Sequence, residues 1–192
     1  MQKINQKGID RRNTGFTLVE TLVAIAILSI SILATFTAVQ GGLQASISAK
    51  DRITAFYLAQ EGMELVRNIR DNNALNKISG GSNHWMTGMA NQSFSPNGIC
   101  YSFNCMIDTT TMAITQCGST AGTWPPCPNL RKDPTSGLMG YNGAWTLTNF
   151  RRDITFGVPY SLDEVIVYIT ITWTTKGVTK SFQVSETLYN RQ

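Results

Sequence analysis

From Phe16 to Phe36 the chain is an unbroken run of 21 apolar or small hydroxyl residues, with one exception, Glu20, near its leading edge. A helix rises about 1.5 Å per residue, so the run spans roughly 31 Å, close to the thickness of a bilayer core. One membrane-spanning helix is expected. Gly41-Gly42 follows it. Glycine in a helix interior costs about 1 kcal/mol relative to alanine, so a bend or a locally melted turn is expected at the pair.

From Leu43 the pattern changes period. Ala55, Leu58, Gly62, Leu65 and Ile69 recur at steps of three and four, flanked by Phe56, Ala59, Met63 and Val66. Lys50, Asp51, Arg52, Glu61, Glu64, Arg67 and Arg70 carry the charge between them. This is an amphipathic helix with one wide apolar face. Glu64 with Arg67 and Arg67 with Asp71 have helical pairing distances, and Asp71-Asn72-Asn73 followed by Ser79-Gly80-Gly81 marks the helix end.

Residues 74–143 are rich in Gly, Asn, Ser, Thr and Pro, and only Ile99 to Ile107 has a strand pattern there. From residue 144 the period becomes two. Trp145 to Phe156 alternates, and Val165 to Trp173 sets a Val, Ile and Trp side against a Thr and Tyr side. Thr174-Thr175-Lys176-Gly177 is a turn signal, and Val178 to Tyr189 returns as the partner strand. The expected class is α+β: a long N-terminal helix, apolar in its first half and amphipathic in its second, packed on a C-terminal antiparallel β-sheet.

Charge orients the first segment. The first 15 positions hold Lys3, Lys7, Arg11 and Arg12 against Asp10, and no charge follows the apolar run before Lys50. The positive-inside rule then places the N-terminus in the cytoplasm and everything after Phe36 outside. Beyond the leader the count is 12 basic against 11 acidic residues, so the net charge of +4 is mostly a leader property. That is poor support for a nucleic-acid surface outside. An ordinary secretory signal has a shorter apolar core closed by a small-residue cleavage site, which this run lacks.

Gly15-Phe16-Thr17-Leu18-Val19-Glu20, behind a short basic leader and ahead of an apolar helix, resembles the prepilin processing signal of type IV pilins and of type II secretion pseudopilins. The resemblance covers about residues 8 to 40 and, more weakly, the amphipathic segment to Asn73. It implies that a membrane-embedded aspartyl prepilin peptidase cuts between Gly15 and Phe16 and methylates the new amine of Phe16. It also implies a pilin-like fold, and the final hairpin looks like that of minor pilins and pseudopilins. Five segments follow: a cleaved leader, 1–15; a transmembrane and assembly helix, 16–40; an amphipathic helix, 41–73; a loop-rich cysteine region, 74–143; and an antiparallel sheet, 144–192. Many type IV pilins place a proline in the spanning helix, whereas here the first proline is Pro96.

Glu20 acquires a role from the same resemblance. Once Phe16 is the N-terminus, Glu20 lies one turn in, roughly 6 Å deep, where a carboxylate still reaches headgroup water. In a filament core it would pair with the Phe16 amine of a neighbouring subunit and act as a register key. Ala24, Ala26, Ser29, Ser31 and Ala34 allow close helix approach, and the hydroxyls can bond back to the preceding turn.

Cys100, Cys105, Cys117 and Cys127 all lie in the loop-rich region. An even count outside the membrane reads as disulfides, with three pairings open; proximity favours Cys100 with Cys105 and Cys117 with Cys127. No Cys-x-x-Cys spacing suggests zinc. Asp163-Glu164 before a strand has the composition for a calcium loop, as in some pseudopilins, but reads as a solvated turn. No nucleophile motif or phosphate loop is found, and Asp108, Asp133 and Asp153 have no telling spacing, so no enzyme, cofactor, metal site or small-molecule substrate is expected.

The expected function is a structural subunit of a type IV pilus or of a type II secretion-like pseudopilus. It would sit as a single pass in the cytoplasmic membrane and then in an extracellular or periplasmic filament. Its partners would be other pilin or pseudopilin subunits, the prepilin peptidase and the pilus or secretion assembly machinery. The alternatives are a membrane-anchored extracytoplasmic binding module and a DNA-binding tip pilin of a DNA-uptake machine. The latter would draw on Arg131-Lys132 and Arg151-Arg152, the basic doublets outside.

Overall fold

A computed structural model describes residues 15–89, 100, 103–119, 126–157 and 163–190. The elements in chain order are helix α1, Leu18–Ile78, and strands β1 Phe103–Asp108, β2 Ala113–Ser119, β3 Asn129–Lys132, β4 Met139–Gly140, β5 Thr146–Phe156, β6 Glu164–Thr175 and β7 Val178–Tyr189. The chain divides into two compact units, residues 1–47 and 48–192. Helix α1 contributes to both.

In the first unit α1 is continuous through Gly41-Gly42, so the pair does not melt a turn of the helix. Glycine lacks intrinsic helix preference but keeps both backbone hydrogen-bonding groups, so a pair flanked by long helix-forming runs is carried across. Hydroxyls bond back along the run: Ser29 Oγ to the Ile25 carbonyl at 2.8 Å, Ser31 Oγ to Ile27 at 2.9 Å and Thr37 Oγ1 to Leu33 at 2.8 Å. Each small polar group is thereby satisfied within the helix.

The second unit is built on an antiparallel meander, β5-β6-β7. The β6–β7 pairing extends from Glu164↔Tyr189 to Thr175↔Val178, closed by Lys176 and Gly177, both with positive φ (51° and 78°). Two central residues with positive φ give a turn whose twist matches the strands, which the Lys-Gly sequence permits. The other edge of β5 is shared by two short ribbons, β3–β4 along its first half and β1–β2 near its end. These ribbons cover an edge that would otherwise expose unpaired backbone groups.

Period-two burial places Val165, Val167, Ile169, Ile171 and Trp173 of β6 on the inner face. They meet Ala55, Leu58, Ala59, Met63, Leu65 and Val66 of α1 in one core, joined by Ile107, Leu130, Phe150, Ile154, Phe156 and Leu188. Full burial contributes about 1.5–3 kcal/mol for each Val, Leu or Ile side chain. At Gly62 helix and sheet approach closely: a Cβ there would lie 3.1 Å from Ile169 Cδ1 and 3.3 Å from Arg152 Cδ.

The helix passes the expected stop at Asp71-Asn72-Asn73 and ends at Ile78. Asn73 is buried, and its amide donates to the carbonyls of Trp85 (3.1 Å) and Thr87 (2.8 Å). With its side chain occupied by the returning loop, it does not compete for the helix backbone. That loop delivers Trp85, Met86 and Met89 to the core, and the described residues of 103–140 form four strands where only one had a visible pattern. Glu64 and Arg67 pair at 3.1 Å, but Arg67 takes Glu186 as its second partner, and Asp71 pairs with the buried Arg70.

Candidate functional site

Gly15, Phe16 and Thr17 lead directly into the helix, which begins at Leu18. A Cβ on Gly15 would meet nothing within 4 Å, and Phe16 is 76% exposed. Among the described residues nothing packs against Gly15, and Phe16 is largely bare. Thr17 Oγ1 accepts a hydrogen bond from the Glu20 N–H at 3.3 Å, and the Thr17 carbonyl accepts from Thr21 N at 3.2 Å. Thr17 is therefore the N-cap and Glu20 the third helical residue, the positions of a capping box. A carboxylate in the first turn also meets the positive end of the helix dipole. Sequence reasoning missed the cap, although its signal, Thr-x-x-Glu ahead of an apolar run, is plain in Thr17-Leu18-Val19-Glu20. Gly15 and Phe16 precede the helix and Glu20 lies in its first turn; residues 1–14 of the expected leader lie outside the described residues.

The helix behind this segment is long and apolar enough to cross a membrane, and its most apolar stretch has no residue buried inside the protein. Leu18, Val19, Leu22, Ile25, Leu28, Leu33 and Phe36 are all exposed. A bare apolar surface of that extent requires lipid or other protein around it.

Three of the four residues in the basic doublets, Arg131, Arg151 and Arg152, are bonded within the protein, and Lys132 is exposed. Arg152 is fully buried: it donates from Nη1 to the Leu58 carbonyl (3.2 Å) and Glu61 Oε2 (3.1 Å), and from Nη2 to the Ile107 carbonyl (2.8 Å). Thr109 Oγ1 donates to the other oxygen of Glu61 at 2.6 Å. One guanidinium thereby joins α1, β1 and β5. Arg151 is half-buried and pairs with Asp153 at 3.0 Å. Burial raises the pKa of Asp153 while Arg151 opposes the rise. Tyr141, whose hydroxyl lies 3.4 Å from the Arg152 carbonyl, is pushed by burial up to about 12. Arg131 donates to the carbonyls of Gly143 and Trp145. A basic surface for nucleic acid loses Arg152 altogether.

Cys100–Cys105 and Cys117–Cys127 are disulfides, the pairs that proximity favours. The first is buried in the core beside β5, where the Cys100 carbonyl accepts from Phe156 N at 2.9 Å. The second ties β2 to the segment entering β3. Peptide mapping without reductant should recover both bonds and no free thiol. Short loops of this kind contribute roughly 2–4 kcal/mol each, and four free thiols would refute the pairing. Asp163 accepts from the Asn190 side chain at 3.2 Å and so closes the open end of the β6–β7 hairpin. Among the described residues no group of three His, Cys, Asp or Glu is gathered to hold a metal.

Residues 10–36 match a family model described as the prokaryotic N-terminal methylation motif. The match contains Gly15, Phe16, Thr17 and Glu20. No curated protein and no solved structure matches the chain.

Proposed function

We propose, from the premise that residues 10–36 carry the hallmark of type IV pilins and pseudopilins, that this chain is a structural filament subunit processed at Gly15. The cut between Gly15 and Phe16 removes the basic leader and leaves a methylated amine on Phe16. The apolar helix holds the subunit in the cytoplasmic membrane, N-terminus inside, until it leaves lipid to pack against the helices of other subunits. The sheet unit then lies on the outer side, braced by its two disulfides. Partners are other pilins or pseudopilins, the prepilin peptidase and an assembly machinery. The role is mechanical, with no catalytic step.

The observation that carries this reading is the motif itself, set on a helix start that is exposed among the described residues. An exposed N-terminal segment suits entry into a peptidase, and a bare apolar helix suits transfer from lipid to a bundle of copies.

Intact-mass measurement of protein extracted from peptidase-competent membranes tests it. The mass should lack residues 1–15 and include one added methyl. Replacing Gly15 by a bulky residue should block the cut and leave membrane insertion unchanged. A full-length mass in the wild type would overturn the proposal.

A further inference from the structure

Trp173 of β6 and Lys180 of β7 are register partners on the face of the hairpin that meets α1. With Arg52 of α1, Ser181 and Phe182 they line a cavity of about 620 Å³. Trp173 is 2% exposed and stacks on Phe150, with ring centroids 6.1 Å apart. Among the described residues its Nε1–H meets no acceptor. An indole nitrogen can only donate, and a buried donor without an acceptor is costly enough that such groups are rare.

The other polar groups of the cavity carry the complementary charge. Lys180 Nζ reaches Ser48 Oγ at 3.0 Å, which occupies one of its three protons. Arg52 is exposed and, among the described residues, joins no ion pair. The neighbouring acid, Asp51, accepts from the Thr175 hydroxyl at 2.7 Å. Two cations, from α1 and β7, thus share one opening with the β6 residue that carries the orphaned N–H. Donors arriving from three elements suit a group with several acceptor oxygens in a tetrahedral arrangement better than a planar carboxylate, and Arg with Lys is a common pairing for phosphate.

We propose that Arg52, Lys180 and the indole N–H of Trp173 form a binding site for a phosphate group, with Trp173 and Phe182 as its apolar wall. The phosphate can be free or can be a phospholipid headgroup. The second source rests on the membrane reading above, since Ser48 to Arg52 follow the apolar run in the chain; the site itself does not rest on it.

The test uses the full chain in maltoside micelles, which contain no phosphate, with its four tryptophans labelled with nitrogen-15. Inorganic phosphate is titrated in one arm and phosphatidylglycerol in the other, and the indole N–H resonances are followed. Trp173→Phe, which keeps the packing and removes the donor, assigns the Trp173 signal. That signal should move saturably with a phosphate source. Arg52→Gln should weaken the response about tenfold, the effect of losing one charge-assisted hydrogen bond, without moving the unliganded spectrum. A response to lipid alone assigns the headgroup as the source, and a response to both assigns the phosphate group in either setting. Should Trp173→Phe fail to fold, the affinity losses of Arg52→Gln and Lys180→Gln, read on whichever indole signal saturates, carry the same test. No saturable response in either arm, or wild-type affinity in the Arg52 and Lys180 variants, overturns the proposal.

Discussion

Arg152→Ala is expected to destabilise the sheet unit by about 3–5 kcal/mol, the largest effect of any single change there. The side chain is fully buried, with three hydrogen bonds to partners on two other elements, so its loss acts twice. The Ile107 carbonyl and Glu61 lose a donor, and the stem that packs against α1 at Gly62 leaves a cavity. For a unit of this size each kcal/mol lowers the midpoint of thermal unfolding by about 2–4 °C, so a fall of roughly 6–20 °C is expected. Arg152→Met separates the two contributions, because it restores most of the volume without the hydrogen bonds and should lie between Ala and wild type. Glu61→Gln should cost less than either, since Glu61 is half-exposed and the amide can still accept from Arg152 or Thr109. The measurement is circular dichroism of the full chain in detergent, with the disulfides intact. A midpoint for Arg152→Ala within about 2 °C of wild type would show that the guanidinium is a passenger.

That Arg152 first reads as half of a solvent-exposed basic doublet shows what composition hides. Charge alone says "surface", yet Phe150, Arg152, Ile154 and Phe156 share one phase of a period-two strand, and that phase is the inner one. The phase was visible in the sequence. What was not visible is the pair of carbonyls, on Leu58 and Ile107, that makes burial of a cation tolerable, because they belong to elements distant along the chain. The same distinction runs through the molecule. The apolar run, the amphipathic half of α1 and the β6–β7 hairpin are periodic over many residues, and local pattern suffices for them. The described residues of 74–143 are held by non-local means: two disulfides, an asparagine that captures a returning loop, and two short strands, β1 of six residues and β3 of four, whose partner is the edge of β5. Apart from the pattern that leads into β1, no short-range period announces any of these. At the N-terminus Gly15, Phe16 and Glu20 stand out because a charge interrupts an apolar run, whereas Thr17 does not, since a threonine there looks ordinary until the helix start is known.

The Thr17 cap gives Glu20 two competing accounts, and they make different predictions. If Glu20 serves only the start of its own helix, Glu20→Gln should behave as wild type, because glutamine also fits the third position of a capping box. If its charge guides docking, both Glu20→Ala and Glu20→Gln should be processed and folded normally yet remain in the membrane fraction. We expect the second outcome. In lipid the carboxylate sits one turn from the processed end, near headgroup water, where it costs less than the 2.5–3.5 kcal/mol assigned to a charge at the bilayer centre. In a packed bundle that water is gone, and the Phe16 amine of the neighbour needs an anion. Opposite charges 4 Å apart attract by about 4 kcal/mol at an effective dielectric of 20, which roughly offsets their desolvation, so the pair sets register rather than adding net stability. Removing the acid alone leaves the amine buried without a partner, at a cost of about 3–5 kcal/mol, and that bias favours staying in lipid by roughly two to four orders of magnitude. The measurement is the fraction of each variant in sheared or secreted filaments against the membrane fraction, with wild-type partner subunits present. Equal incorporation of Glu20→Gln and wild type would refute the register role, and equal incorporation of Glu20→Ala as well would leave the carboxylate with neither role.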